Sequence, residues 1–468
     1  MKKFFLTVAV IIIVLGVALA VWVVGIGDLS DVAFRDVPDV VRDDATGMVY
    51  VGSEESPEMF CVVEDIDGKA RILRVQADDR YLLGYLKARA IGDEMIAYME
   101  TVDGEVTDYA GGLMMMRVKK KSRYYWEAIE GPYRDEILGI THGLRDEGYD
   151  VKAADVLFAF TWRELVYVTL AVKIGPIYYK LFYSKKHPVE ENPGGCSAFG
   201  MLNPDGSVII AQTIDSPPQS KGFGNYYFEE QTITGEENTT TMTSYAGLFG
   251  WAMGWNDNGV CVVINNMFTS EYGKEPRLPY TFRGREALRV SSDAYEYIDF
   301  WVAEGSPNAQ NFIVTDLDGN LLRLERSREE FHITDVAADG LSGTYWEDIG
   351  MLTSTNTFVT DTMKHLILFP DVCTGRQPTA DRVAGEHAAD GFVTLDDMMD
   401  ILAYQPEGLV TDENAICYRT EELIAKKNTS VTVYQLIFEI KNGKRSIYMK
   451  ENFDCGDREY VSPPDPRS

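Results

Sequence analysis

The chain of 468 residues is 45% hydrophobic and 25% charged, which is typical of a globular protein with an ample core. Its length allows about two to four domains. With 44 basic against 73 acidic residues, its net charge is -29, which disfavours nucleic acid and anionic membrane surfaces as partners.

The N-terminal segment contains an uncharged run of 23 residues from Phe4 to Ile26, which follows Lys2 and Lys3. This run is long enough to span a bilayer, and the lysines favour the cytoplasmic side. A cleavable signal peptide is the alternative, because Ala18-Leu19-Ala20 matches the small-x-small cleavage pattern. We therefore predict a signal anchor or signal peptide at residues 1–27. The rest of the protein would lie outside the cytoplasm, either tethered to the cell membrane or secreted.

Residues 28–195 begin with a hairpin and continue with helices. Met59 to Glu64 and Lys69 to Val75 flank an Asp-Gly turn, which is typical of a hairpin. Apolar residues then recur at helix spacing over residues 79–100 and 130–165.

An apolar run at residues 165–183 and a polar loop at residues 184–195 come next. Lys173, Gly175 and Pro176 interrupt the apolar run, so a buried or interfacial helix is favoured over a membrane span. The loop contains two prolines and two glycines, and exposed loops of this kind are where chains are cut.

Cys196 directly follows this loop and opens a strand-turn-strand pattern, Ser197 to Leu202 and Ser207 to Ile214. A two-stranded hairpin would return Asp215 close to Cys196. A thiol nucleophile with no histidine beside it needs a base, and the nearest is its own amine if the Gly195–Cys196 bond is broken. The alternative is that Cys196 is a small buried hydrophobic residue.

The remainder of the chain alternates runs of strands with helices, which predicts a layered α+β fold and argues against a doubly wound parallel sheet. Strands are predicted at residues 243–252, 259–267, 311–315, 321–325, 431–441 and 446–450, with another ending at Thr357, and helices at residues 283–304, 379–389 and 394–404.

Other catalytic motifs are missing from the sequence. It has no G-x-S-x-G, H-E-x-x-H or P-loop pattern, and its six cysteines form no C-x-x-C pair. None of the five histidines lies in a motif, although a Cys-His pair stays open. We predict no metal and no organic cofactor.

Several short motifs together resemble the acyl-coenzyme A:6-aminopenicillanic acid acyltransferase family, which is similar to the bile salt and penicillin V hydrolases, all N-terminal nucleophile hydrolases. Their order and spacing carry the resemblance, and it covers most of the chain. The motifs are Gly195-Cys196-Ser197-Ala198-Phe199, Asp215, Gly254-Trp255-Asn256-Asp257-Asn258-Gly259, Asn265-Asn266, Thr355-Asn356, Ala415-Ile416-Cys417-Tyr418-Arg419 and, upstream, residues 133–140 and 151–160.

The resemblance implies a four-layer αββα sandwich, here preceded by a transmembrane helix. It further implies that residues 28–195 are a pro-segment and that residues 196–468 are the cysteine hydrolase domain. In this family the chain cleaves itself before the cysteine, here between Gly195 and Cys196. The new N-terminal amine then activates the thiol for attack on an amide or thioester carbonyl.

The resemblance also assigns roles to other residues. Asp215 matches the aspartate that orients the amine of the nucleophile. Asn266 and Asn356 match asparagines that stabilise the oxyanion, with Asn265 as the backup for Asn266. Arg382 matches an arginine that the family keeps near its site.

Gln212 departs from the bile salt hydrolase branch, which has an arginine three residues before its aspartate. This change puts a bile-salt-like or penicillin-like substrate in doubt, and we assign Gln212 and Asn265 to substrate binding. Residues 165–183 and the aromatic stretch at 223–228 also lie outside the family pattern, and their composition predicts a pocket for an apolar acyl chain.

Three functions follow from the sequence. The first is an exported, self-processing cysteine amidohydrolase or acyltransferase that acts on a small acyl amide or acyl thioester. The second is a phospholipase B-like or ceramidase-like lipid hydrolase of the same superfamily. The third is a catalytically inactive surface protein.

Overall fold

The structure, a computed structural model, describes most of the chain on both sides of Cys196. The described residues are 29, 34–110, 119, 122, 125–129, 131–166, 195–216, 226–267, 269, 271, 277–337, 349–367, 375–411, 413–425, 430–451 and 453–463. The predicted anchor at residues 1–27, the loop at residues 184–194 and residues 167–183 of the apolar run lie outside them. Within the described residues, no helix is both long and apolar enough to cross a bilayer.

Sixteen strands and eight α-helices are assigned in this part of the chain. The strands are β1 Val41–Arg42, β2 Val49–Ser53, β3 Ser56–Ile66, β4 Ala70–Ala77, β5 Ser197–Leu202, β6 Val208–Ser216, β7 Tyr226–Ile233, β8 Thr240–Tyr245, β9 Gly254–Asn256, β10 Cys261–Met267, β11 Ala309–Thr315, β12 Leu321–Arg326, β13 Phe331–Asp335, β14 Met351–Ser354, β15 Val431–Lys441 and β16 Lys444–Glu451. The helices are α1 Arg80–Ala110, α2 Gly131–Asp146, α3 Ala153–Val166, α4 Tyr280–Val290, α5 Ala294–Ala303, α6 Gln377–His387, α7 Leu395–Ala403 and α8 Glu421–Ala425.

The described strands form two sheets. The larger has eleven strands in the order β1-β2-β3-β4-β7-β8-β9-β10-β11-β12-β13, and the smaller has five in the order β14-β5-β6-β15-β16. Strand β4 pairs with β7 in parallel, from Ile72 with Phe228 to Ala77 with Ile233. The segment upstream of Cys196 therefore supplies four strands to the same sheet as the segment downstream of it.

The two sheets pack face to face, with helices on their outer sides. On the small sheet, Phe199 and Ile209 point outward to a core shared with α6 and α7, which includes Val383 and Leu402. On the inner side, a Cβ placed on Gly200 would lie 3.0 Å from Ile313 of the large sheet, so the sheets are in close contact there. Helices α1, α4 and α5 pack on the large sheet. The observed layers are helix, sheet, sheet and helix, and the α+β prediction is confirmed.

A buried charge network joins the helices upstream of Cys196 to the elements downstream. Lys87 of α1 contacts Glu136 of α2 at 2.9 Å and Glu229 of β7 at 2.6 Å. Arg285 of α4 contacts the same two carboxylates at 2.7 and 3.2 Å. All four side chains are at most 2% exposed. Because each of these buried charges has at least two partners of opposite sign, the network fixes the upstream helices against the rest of the protein.

The short-range sequence patterns predicted most elements correctly. The hairpin predicted around the Asp67-Gly68 turn is confirmed by β3–β4, and the strands predicted at 311–325 and 431–450 are confirmed as the pairs β11–β12 and β15–β16. The helical spacing at residues 130–165 is confirmed by α2 and α3, whereas the single helix predicted at 283–304 is wrong, since this stretch forms the two helices α4 and α5.

The strand predicted at residues 243–252 is also wrong beyond Tyr245. The chain turns there because Ala246 and Gly247 have φ values of +48° and +67°, which lie outside the β region of backbone conformation. The N–H of Tyr245 donates to Phe249 O at 2.7 Å and closes the turn.

One disulfide is present in the described part of the chain, between Cys417 and Cys455, with their Cα atoms 5.9 Å apart. Cys61, Cys196 and Cys261 are buried free thiols. A structural disulfide is typical of proteins in oxidising compartments, and the predicted export stays a prediction.

Candidate active site

Cys196 lies immediately before β5, the strand between β14 and β6 in the small sheet, and it is buried. In the register of the β5–β6 hairpin, Ser197 pairs with Thr213, so the residues before Cys196 run alongside the end of β6. There the N–H of Gly195 donates to Asp215 Oδ2 at 3.3 Å. The hairpin therefore returns Asp215 to the cysteine, as its sequence pattern predicts.

The peptide bond between Gly195 and Cys196 is held on both sides. Arg376 donates from Nη1 to the Gly195 carbonyl oxygen at 3.0 Å. The N–H of Cys196 donates to Asn356 Oδ1 at 2.6 Å. One side chain therefore contacts the oxygen of this peptide group, and another contacts its nitrogen.

Asp215 is a buried carboxylate that contacts two side chains of the site. Arg376 contacts Asp215 Oδ2 from Nη2 at 2.7 Å, and the two side chains are only 4% and 0% exposed. Thr432 donates from Oγ1 to Asp215 Oδ1 at 2.6 Å. Thr432 lies beside a register shift between β15 and β6, and bulges of this kind often redirect side chains at functional sites. Because both carboxylate oxygens are hydrogen-bonded, the orientation of Asp215 is fixed. Asp215 in turn fixes the orientation of Arg376 through their ion pair.

Three asparagines join the ends of β10 and β14 near the cysteine. Asn356 donates from Nδ2 to the backbone oxygen of Asn266 at 2.7 Å. Asn265 is fully buried and donates from Nδ2 to Ser354 O at 3.2 Å. In the intact chain, Asn356 thus uses both ends of its amide. The contact of Asn266 with this group of residues is through its main chain.

Gln212 connects the two sheets. Its Nε2 donates to Ile264 O, and its Oε1 accepts from Ile264 N at 2.7 Å. This pair of bonds joins β6 of the small sheet to β10 of the large one. The side-chain amide is thereby engaged by main chain, and its predicted role in substrate binding stays a prediction.

Arg382 and Arg376 belong to the same region, and only Arg376 contacts the Gly195–Cys196 peptide in the structure. Arg382 is 48% exposed and pairs with Glu386 at 2.9 Å on the surface of α6. Arg376 is the N-cap residue of that helix, six positions earlier. No local signal in the sequence distinguishes the two arginines, because the partner of Arg376 at Gly195 is 181 residues away.

The thiol of Cys196 is neutral in the intact chain. Burial, together with the nearby Asp215 carboxylate, raises the pKa of Cys196 to about 12, although Arg376 acts in the opposite direction. A thiolate is the reactive form of cysteine. Activation therefore requires a base, or the release of Cys196 from its present environment.

A group of aromatic side chains, here called the aromatic cluster, adjoins the end of β6: Tyr245, Phe249, Trp251 and Tyr280. Tyr245 forms a hydrogen bond with Ser216, the residue after Asp215, at 2.5 Å, and accepts another from Trp251 Nε1 at 3.0 Å. The guanidinium of Arg163, from α3, lies 4.5 Å from the centre of the Trp251 ring. Of the predicted aromatic stretch, residues 223–225 lie outside the described residues, and Tyr226 packs against Tyr245.

The residues that the structure describes include no cluster of three or more histidine, cysteine, aspartate or glutamate side chains that could hold a metal ion.

No family model and no curated protein matches the chain. Among solved structures, it is similar to the Caenorhabditis elegans orthologue of N-acylethanolamine-hydrolysing acid amidase, with 15% identity and a TM-score of 0.36 over 52% of this chain and 92% of that one. It is also similar to penicillin V acylase from Agrobacterium tumefaciens, with 12% identity and a TM-score of 0.32 over 55% and 83% of the two chains.

A third similar structure is a mutant of the conjugated bile acid hydrolase from Clostridium perfringens, with 13% identity and a TM-score of 0.35 over 58% of this chain and 98% of that one. The roles of individual residues rest on the contacts within this chain.

Proposed function

We propose that the chain is a self-processing cysteine amidohydrolase or acyltransferase that cleaves its own Gly195–Cys196 bond and then forms acyl-enzymes on Cys196. The observation that carries this proposal is the arrangement around that bond. Arg376 contacts the carbonyl oxygen at 3.0 Å, and Asn356 contacts the amide nitrogen at 2.6 Å. Three of the predicted residues, Cys196, Asp215 and Asn356, are part of this arrangement.

Self-cleavage begins when the Cys196 sulfur attacks the carbonyl carbon of Gly195. A C–S bond forms, and the negative charge that develops on the carbonyl oxygen is stabilised by Arg376, which already donates to it. The C–N bond then breaks, the thiol proton ends on the departing nitrogen, and a thioester remains. Water adds to this thioester and the C–S bond breaks, which leaves a carboxylate on Gly195 and a free thiol and amine on Cys196.

The released amine is the base for substrate turnover. An N-terminal amine has a pKa of about 7.7–8.0, far below that of lysine, so it can accept the thiol proton near neutral pH. Asn356 Oδ1, which accepts from this nitrogen in the intact chain, is placed to hold the amine afterwards. The thiolate attacks an acyl amide or thioester, and the acyl group passes to water or to an amine.

An apolar acyl group fits the surroundings of the site better than a polar one. The aromatic cluster is connected to the residue after Asp215 through Tyr245, and it is buried. The proximity of this buried apolar cluster supports small fatty-acyl amides as substrates, and it equally supports the lipid amides of the second hypothesis. Export, with an anchor or signal peptide at residues 1–27, is part of the same proposal.

The test measures hydrolysis of N-acyl amides of increasing chain length by the purified protein, read as release of primary amine. We expect turnover by the wild type and none above background by Cys196→Ala. Cys261→Ala, which removes another buried thiol, is the matched control and should retain turnover. Equal activity of the wild type and Cys196→Ala would contradict the proposal.

A further inference from the structure

Gly195 has no room for a side chain. A Cβ built on it would lie 2.6 Å from Asn356 Oδ1 and 3.4 Å from Cζ of Arg376. This restriction is steric, and the two residues that impose it are those that hold the scissile peptide.

Neither neighbour can move away without losing contacts of the site. Asn356 is held by its bonds to the N–H of Cys196 at 2.6 Å and to Asn266 O at 2.7 Å. Arg376 is held by its ion pair with Asp215 at 2.7 Å, and Asp215 is itself fixed by Thr432. A substituent at Gly195 would displace either the group on the amide nitrogen or the group on the carbonyl oxygen.

Gly195 is the acyl half of the bond that the site is proposed to cleave. During self-cleavage its carbonyl carbon becomes the acyl carbon of the thioester with Cys196, and a substrate forms the same thioester during turnover. The α-carbon of the acyl group therefore occupies the position of Gly195 Cα in both reactions.

We propose that the site selects acyl groups whose α-carbon carries no substituent in the position of an L side chain. This inference rests on the proposed function and narrows its substrate class. Straight-chain fatty acyl, arylacetyl and N-acylglycyl groups fit, because their α-carbon is a CH₂ group. Acyl groups derived from the other L-amino acids do not fit, which excludes general peptide hydrolysis.

The test compares two activated esters, the 4-nitrophenyl esters of N-acetylglycine and N-acetyl-L-alanine, on the processed protein. Nitrophenol release gives the acylation rate, and intact mass shows whether the acyl group is on Cys196. Each rate is divided by the rate at which the same ester acylates a short peptide with an N-terminal cysteine. This ratio corrects for the intrinsic reactivity of the ester. The alanine ester brings one additional methyl group into a space that has no room for it. We therefore expect the alanine ester to acylate Cys196 at least about tenfold more slowly than the glycine ester.

Every outcome separates the two claims. A slow alanine ester beside a fast glycine ester supports the selection. Normalised rates within twofold, with both adducts on Cys196, would overturn the selection and leave the proposed function standing. If neither ester forms an adduct on Cys196, the proposed function fails and the selection fails with it.

Discussion

Arg376 donates one guanidinium N–H to the carbonyl oxygen of Gly195 at 3.0 Å while another contacts Asp215 at 2.7 Å. The same side chain is thus anchored by a buried carboxylate and directed at the peptide that precedes the cysteine. This relationship supports Arg376 as the oxyanion donor in the proposed self-cleavage.

Arg376→Leu should slow processing by about 10²–10³-fold, because loss of one oxyanion donor has that effect on related chemistry. Arg376→Lys should restore little, since an ammonium group lacks the planar fork that contacts two oxygens at once. The fraction of cleaved chain is measured by gel electrophoresis over time. Arg382→Leu on the exposed face of α6 is the control, and an equal loss of processing in this variant would contradict the assignment.

Gly195→Ala should slow self-cleavage at least about tenfold, since the added methyl group displaces Asn356 or Arg376. Gly131→Ala is the matched control because a Cβ there meets no atom within 4 Å. Mass spectrometry after a fixed incubation gives the cleaved fraction of each variant. Cleavage of Gly195→Ala at the wild-type rate would show that the space around Gly195 opens readily.

Gln212→Leu should destabilise the protein by about 2 kcal/mol or more, because it leaves the main-chain groups of buried Ile264 without their partner. Gln212→Arg should also destabilise it, since a buried cation would replace the bridge between the sheets. Urea unfolding measures both changes. Gln76→Leu on the more exposed β4 should change the free energy of unfolding by no more than about 0.5 kcal/mol. Full stability of Gln212→Leu would favour substrate binding as the role of Gln212.

Cleavage should leave two fragments that stay associated. They share the parallel β4–β7 pairing and the network of Lys87, Glu136, Glu229 and Arg285. Lys87→Met removes one buried charge from this network and should lower the free energy of unfolding by about 3–5 kcal/mol. Arg89→Met removes one charge of a more exposed pair with Glu147 and should lower the free energy of unfolding by less than about 1 kcal/mol. Size-exclusion chromatography tests the association, and separate elution of the fragments without denaturant would contradict it.

Glu164 should make the stability depend on pH. Burial raises the pKa of its carboxyl to about 8, although Tyr280 N–H donates to it at 2.6 Å. Because the folded pKa lies above the unfolded one, the folded state binds more protons between about pH 4.5 and 8. This contribution is therefore complete below pH 4.5 and is lost as the pH rises through 8. Between pH 5 and pH 8, the free energy of unfolding in urea should fall more for the wild type than for Glu164→Gln. An equal fall in the two proteins would contradict this prediction.

The sequence predicted the local part of the site well. The β5–β6 hairpin brings Asp215 back to Cys196 because alternating apolar residues and a four-residue turn fix its register. Asn356 lies beside the cysteine and accepts from its N–H, while its predicted role at the oxyanion stays a prediction. These features depend on nearby residues or on a motif with a fixed spacing.

The missed features depend on distant contacts. Arg376 faces Asp215 and Arg382 does not. The packing of α6 on the small sheet decides which of the two arginines reaches Asp215. The role of Gln212 between the sheets depends on its distance from Ile264, which follows from the stacking of two sheets. The turn after Tyr245 depends on a non-glycine residue, Ala246, with positive φ, which composition does not indicate.

The measurement that tests the central claim most directly is the intact mass and N-terminal sequence of the purified wild type beside Cys196→Ala. The proposal predicts that the wild type gives two fragments, one of them beginning at Cys196, and that the variant stays whole. A folded wild type that remains a single chain under the same conditions would contradict self-processing at the Gly195–Cys196 bond.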